Sequence, residues 1–185
     1  MIALPKRWIL AAGLAAALSA CASSRSLDES FSDLTGNTQL KTVLFSDRQF
    51  DYSNIDTTLL EGRLMLTGSM WSEEGRQRLL ANAWKAEGVK LVIDEVLIGD
   101  KTSFGQGFED TRIDKALRAS LIADEDVTSG RFKFSVSEAV VYVLGAARSK
   151  EEMDKTLKIA QSISGVEKVV SHIVISPPGV IKQNP

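Results

Sequence analysis

Residues 60–98, LEGRLMLTGSMWSEEGRQRLLANAWKAEGVKLVIDEVLI, lie over residues 137–175, SEAVVYVLGAARSKEEMDKTLKIAQSISGVEKVVSHIVI, without a gap at an offset of 77. Gly68 falls on Gly145, Ser72 on Ser149, Leu80 on Leu157, Gly88 on Gly165 and Val92 on Val169, and upstream Leu40 and Leu44 fall on Leu117 and Leu121. A repeat of this length means one small supersecondary unit present twice, which excludes a single large core for the 185-residue chain. A unit of roughly 60–70 residues lies near the lower size limit for independent folding, so each core is expected to be small and aliphatic.

The order within a unit follows from periodicity. NTQLKTVLFSD and DTRIDKALRASLIAD read as short helices; in the second, Ile113, Leu117, Ser120 and Leu121 form an i, i+4, i+7, i+8 stripe. Arg131 to Ser137 then alternates with period two and places Phe132, Phe134 and Val136 on one face, while the first copy shows a less regular strand at Phe50 to Thr57. Turns at Glu61-Gly62 and near Glu138 lead into Arg63 to Leu66 and Val140 to Leu144, giving a hairpin whose second strand is expected to end at Gly68 or Gly145. Ser149 with Glu152 at N3 forms a capping box for a second helix, and Ser72 does so less completely because Gly75 occupies N3. Gly88 and Gly165 sit where a helix C-cap favours positive φ, ahead of final strands at Val89 to Ile98 and Val166 to Ile175. The unit is therefore αββαβ, an α+β fold, present twice.

The remaining segments define domains. Residues 1–20 carry Lys6 and Arg7, then an uncharged run from Trp8 to Leu18, then small residues. As a helix that run spans about 16 Å, roughly half a hydrocarbon core, so it reads as a signal peptide and not a transmembrane anchor. Leu18-Ser19-Ala20-Cys21 resembles the lipobox of bacterial lipoproteins, in which the Cys becomes the new N-terminus and carries a diacylglycerol. The alternative is an ordinary secretory signal with Cys21, the sole Cys, incidental. Residues 21–36 read as lipidated Cys plus a flexible Ser- and acid-rich tether, 37–99 as unit one, 100–108 as linker, 109–176 as unit two and 177–185 as a tail. By the same resemblance Ala22, not Asp, after the Cys implies the outer membrane, facing the periplasm.

Composition narrows function. Lys and Arg number 22 against 24 Asp and Glu, and losing the signal removes two cations, leaving a net −4 (20 against 24). That is not the charge of a nucleic-acid binder, and a single Cys builds neither a disulfide framework nor a Zn-thiolate cluster. His172, with Glu95 at its equivalent position, reads as a solvent-facing slot, because two dissimilar polar residues share one strand position. Asp124-Glu125-Asp126 lacks the spacing and glycine of a calcium loop and reads as a solvated turn. Gly105-x-Gly107 follows no strand and reads as linker. Trp71 and Trp84 have no aromatic counterparts in the second unit and are assigned to core or interface packing, with ligand contact as the alternative. No catalytic residue, cofactor or metal site emerges from these patterns.

A helix, a hairpin whose second strand meets a glycine (Gly68, Gly145), a Ser-capped helix and then Gly-Val-x-x-Val (Gly88 to Val92, Gly165 to Val169) resembles the BON domain. Two such units behind a lipobox resemble the dual-BON outer-membrane lipoproteins. The resemblance implies two tandem BON domains, each a mixed three-stranded sheet packed on two helices. It further implies a non-catalytic role in binding anionic phospholipid and maintaining the envelope, through the first helix of the second unit. Carried onto this chain, the lipid-binding candidates are the apolar Ile113, Leu117, Leu121 and Ile122 and the cations Arg112, Lys115 and Arg118, in addition to Cys21 as the membrane anchor. No Trp opens that helix to anchor it at an interface. A second reading is an adaptor that docks on an outer-membrane assembly protein.

Overall fold

A computed structural model describes Thr42 and residues 49–99 and 104–176. The signal, Cys21, the tether, the expected first helix of unit one apart from Thr42, and the tail lie outside the described residues. Unit one runs β1 (Ile55–Leu60), β2 (Arg63–Met70), α1 (Glu73–Ala83) and β3 (Leu91–Ile98). Unit two runs α2 (Phe104–Ala123), a short 3-10 turn, β4 (Phe132–Ser137), β5 (Val140–Ala147), α3 (Lys150–Ser162) and β6 (Lys168–Ile175). Each sheet is mixed: the hairpin strands pair antiparallel, and the last strand returns parallel to the central one after a helical crossover.

Both hairpins are closed by two residues in the left-handed region, Glu61 (φ 53) with Gly62 (φ 75) and Glu138 (φ 52) with Ala139 (φ 60), the geometry that matches strand twist. That turn sets the register Leu60↔Arg63, so β1 must run back from Leu60. The strand expected at Phe50 to Thr57 is therefore displaced to 55–60; residues 52–54 turn instead, with Ile55 N–H donating to the Tyr52 carbonyl at 3.0 Å. The central strands do not end at their glycines either: Gly68 and Gly145 lie inside strands that continue to Met70 and Ala147. They pair opposite Ile55 and Phe132, and a Cβ on Gly145 would lie 2.3 Å from Phe132 Cδ1. Glycine here makes room for a cross-strand neighbour; it does not terminate the strand.

Ser72 Oγ accepts from Gly75 N–H at 3.1 Å and Ser149 Oγ from Glu152 N–H at 3.3 Å, so both serines cap as their positions predict. Gly88 (φ +80) and Gly165 (φ +90) have the expected positive φ, but in the turns that follow the helices, which end earlier at Ala83 and Ser162. The segment expected to be a linker at 100–108 is half helical: α2 starts at Phe104 and passes through Gly105 and Gly107. Two glycines cost a helix about 2 kcal/mol, which a 20-residue helix with a packed face outweighs.

Glu152 is buried at 4% exposure, and its carboxylate accepts from Thr128 N–H at 2.9 Å as well as from Arg148 N–H and Nε–H. Burial pushes its pKa up, yet the hydrogen bonds and the Arg148 charge outweigh burial and hold it below the usual carboxylate value. A depressed folded value means that its contribution is complete above the ordinary Glu range and is lost as pH falls through the folded value. Glu152→Gln is expected to lose about 1–3 kcal/mol at pH 7 and to flatten the acid limb of stability against pH, as read by urea midpoints. An unchanged acid limb would remove Glu152 from this role.

Alternate faces of the strands are buried differently. One face packs on the helices: Leu59, Leu64, Leu66, Met70 and Val96 with Leu79 of α1 in unit one, and Phe132, Phe134, Val141 and Val143 with Ile113, Leu117 and Leu121 of α2 in unit two. The other face of each sheet meets the other sheet, around Leu60, Met65, Tyr142 and Leu144 with Ile93 and Val170 against them. Arg63 donates across this interface to the carbonyls of Gly145 (2.7 Å) and His172 (3.0 Å). Thr67 and Ser135 share a hydrogen bond at 2.7 Å, and Ser135 donates to Asp56 at 2.8 Å. Met65 with Tyr142 and Ile93 with Val170 are equivalent positions of the repeat, so the units face each other as the halves of an isologous dimer do.

Candidate functional site

That pseudo-symmetry accounts for His172. It does not face solvent: its Nε2 lies 2.8 Å from Glu95 Oε1, the equivalent residue 77 positions earlier, with side chains 25% and 29% exposed. A residue on a two-fold axis meets its own equivalent. Two identical acids there would repel, whereas Glu and His are complementary, and the dissimilarity that suggested a solvent slot marks a contact instead. Trp71 and Trp84 depart from expectation the other way, at 60% and 54% exposed, outside both cores. Asp124 and Asp126 are both tied to Lys155 of α3, and Asp124 lies below the usual carboxylate range, chiefly through its Lys155 hydrogen bond. Among the described residues no cluster of three His, Cys, Asp or Glu is arranged to hold a metal, and no helix is long and apolar enough to cross a membrane.

Helix α2 divides the seven carried-over candidates by face. Ile113, Leu117 and Leu121 are 0–1% exposed and belong to the unit-two core, so they are corrected from lipid contacts to packing residues. Asp110 fixes this orientation: its two carboxylate oxygens accept from Glu138 N–H and Ala139 N–H, both at 2.9 Å, and dock the helix on the left-handed turn. Arg118 lies to one side, held to Asp114 at 2.8 Å; this hydrogen bond, opposed by burial and helped by Asp114 and Asp56 charge, raises its pKa.

Opposite the core runs a solvent-facing stripe, Phe108, Arg112, Lys115, Ala119 and Ile122, at i, i+4, i+7, i+11 and i+14. Phe108 and Ile122 are 70% and 74% exposed, the highest values among the large apolar side chains described. They stand about 21 Å apart along the helix, with two cations between them. Arg112 partly spends its guanidinium on Glu109 (2.9 Å) and the Ser164 carbonyl (2.8 Å), where it covers Gly165: a Cβ there would come 2.7 Å from its Nη2. Lys115 is exposed and unpaired among the described residues. Phe108 escaped the sequence reading because two glycines assigned it to a linker. Extending the i+4, i+7 count backward from Ile122 would have found it.

The BON domain family profile matches residues 32–100 and 109–177. The chain is 28% identical over 123 residues to an uncharacterized protein in the gshII 5'region of Anaplasma centrale, covering 66% of this chain and 82% of the relative. It is 26% identical over 116 residues to the outer membrane lipoprotein DolP of Haemophilus influenzae, covering 63% and 60%. It is 28% identical over 126 residues to the osmotically-inducible protein Y of Escherichia coli, covering 64% and 63%. The chain thus spans less than two thirds of the length of the latter two.

Proposed function

This chain belongs to the BON domain family, and we propose that it is a non-catalytic, lipid-anchored protein of the outer membrane, facing the periplasm, that binds anionic phospholipid and supports envelope integrity. Cys21 carries the acyl chains, residues 22–36 are the tether, and the outward stripe of α2 is the headgroup contact. The lipobox, Ala22 and the relative described as an outer membrane lipoprotein support the anchoring. The stripe carries the lipid clause: two exposed apolar side chains flank a cationic middle on a helix whose other face is already committed to the core. Lying along a bilayer, Phe108 and Ile122 enter the acyl boundary while Lys115 and Arg112 meet phosphates.

The test is vesicle flotation of residues 22–185, which lack the acyl chain. Phe108→Ser with Ile122→Ser is expected to weaken binding to anionic vesicles about 100-fold, since burying each side chain contributes roughly 1.5–3 kcal/mol when complete. Lys115→Gln is expected to cost about fivefold, the effect of one cation near an anionic surface. Equal flotation of the wild type and the double variant would sink the lipid clause. A second reading, docking on an outer-membrane assembly protein, draws on the edge strands β3 and β6, whose ends expose Leu97, Ile98, Val174 and Ile175 at 44–50%. Crosslinking in intact cells separates them: one dominant protein adduct favours docking.

A further inference from the structure

Each three-stranded sheet has two edge strands, and an open edge is a template for another chain unless something covers it. Among the described residues three of the four edges are covered. In β1 the hairpin register turns Ile55, Thr57 and Leu59 outward. Ile55 N–H donates to the Tyr52 carbonyl at 3.0 Å, Thr57 N–H to Asp56 Oδ1 at 3.0 Å, and the Leu59 carbonyl accepts from Lys133. In β4 the Phe132 N–H donates to the Ser129 carbonyl, and the outward Phe134 and Val136 line a cleft closed in by α2 and the turn before β1. In β3 the Gly99 N–H donates to the Met70 carbonyl, so the alternate residues Val92, Asp94, Val96 and Ile98 face outward. Asp94 Oδ1 accepts from Val96 N–H at 3.1 Å while Oδ2 holds Arg76 of α1 at 2.8 Å, which sets a charged pair on that edge.

Strand β6 is the exception. Ser176 N–H donates to the Ala147 carbonyl, so the same alternation turns Val169, Ser171, Ile173 and Ile175 outward. Among the described residues no hydrogen bond reaches the outward main-chain groups of these four. The repeat shows what has been lost: Ser171 stands where unit one has Asp94, and Met153 of α3 stands where it has Arg76. An apolar wall replaces the charged cap, with half-buried Met153 and Leu157 packed in the same cluster as Val169 and Ile173. The strand is eight residues long, contains no proline, and carries Lys168, at its start, as its only Lys, Arg, Asp or Glu. None of the usual devices that blunt an edge is present on it.

These features define the occupant. Alternate N–H and C=O groups beside an apolar wall complement an extended backbone with apolar side chains at every second position. A second copy of this chain fits poorly: the His172–Glu95 contact at 2.8 Å stacks β3 over β6, so pairing β6 with its own equivalent brings the two Asp94 carboxylates together as well. We propose that the outer edge of β6 is a strand-addition site for an extended, uncharged segment of a partner protein. Its main chain pairs with residues 169–175, and its alternate apolar side chains lie against Met153 and Leu157. This assignment rests on the docking reading above and not on the lipid stripe of α2.

Amide NMR of the full chain in neutral-detergent micelles tests it, with the acetylated and amidated heptapeptide Thr-Val-Thr-Val-Thr-Val-Thr as probe. Saturable shifts are expected at residues 169–175. Of two modified probes, one N-methylated at its valines and one at its threonines, one is expected to bind at least tenfold more weakly and the other to match the parent, because only one row of peptide N–H groups faces β6. Ser171→Pro, and separately Ser171→Asp with Met153→Arg, which installs the β3 cap, are each expected to weaken binding about tenfold. Unchanged dispersion in the rest of the spectrum verifies the fold of both variants. No saturable shift, equal binding of the two methylated probes, or full binding by both variants would overturn the proposal. So would peptide binding seen only after removal of residues 177–185, which gives the edge to the chain's own tail, or concentration-dependent shifts at 169–175 without peptide, which give it to a second copy. A protein adduct in crosslinked cells that persists in both variants would leave the docking reading standing and overturn the assignment to β6.

Discussion

Gly68→Ala is expected to cost unit one about 3–5 kcal/mol, enough to unfold it ahead of unit two in a thermal or urea titration. The residue holds φ +110, which side chains rarely adopt, and an added Cβ would lie 2.0 Å from the Asn54 carbonyl oxygen, a backbone atom fixed by the turn that starts β1. A unit of this size has roughly 3–10 kcal/mol of stability in total. Gly145→Ala is expected to cost less, about 1–3 kcal/mol, because its φ is ordinary and the clash is with the Phe132 ring, which has some freedom to move. Stability of Gly68→Ala within 1 kcal/mol of the parent would mean that the turn at 52–54 relaxes freely. Equal costs at both glycines would mean that one mechanism serves both.

Leu117→Glu is expected to unfold unit two, whereas Lys115→Glu, two residues away, leaves stability within about 0.5 kcal/mol. Leu117 is 0% exposed at the centre of the core, so its loss removes about 2–5 kcal/mol of packing and adds a buried carboxylate with no partner. Collapse of NMR dispersion in unit two for Leu117→Glu, with full dispersion for Lys115→Glu, is the expected pair of results. A folded Leu117→Glu variant that had lost only vesicle binding would place that side chain at the surface and overturn the face assignment of α2.

The αββαβ order of unit two, the ββαβ part of unit one, both hairpin turns and the serine caps were legible in the sequence, because period-two and period-3.6 patterns, paired turn residues and N-caps act over a few residues. Element ends were less so. Gly68 and Gly145 look like terminators in the chain, yet they are cross-strand accommodations, a relation that exists only once β1 and β4 are in register. Phe108 was hidden for a similar reason: Gly105 and Gly107 argue locally for a linker, while the packing of Ile113, Leu117 and Leu121 draws the helix back to Phe104. The apolar stripe on α2 was read correctly as a stripe and wrongly as a surface, since periodicity identifies a face without saying what covers it.

What the sequence by itself determined is the repeat, and with it two copies of one α+β unit, because 39 aligned residues without a gap admit no other division of the chain. What only the tertiary structure decided is how the copies meet. The strand faces turned away from the helices carry Asp56, Arg63, Thr67, Glu95, Lys133, Ser135 and His172, polar residues that read locally as solvated. They are satisfied across a pseudo-two-fold interface instead, Arg63 and Lys133 by main-chain carbonyls of the other unit (Gly145 and His172, and Leu59) and the rest by one another, which pairs positions far apart in the chain. Solvent and a complementary partner sheet place the same demand on a polar side chain, a hydrogen bond, so one sequence pattern is compatible with both and the choice appears only when the two sheets are in place.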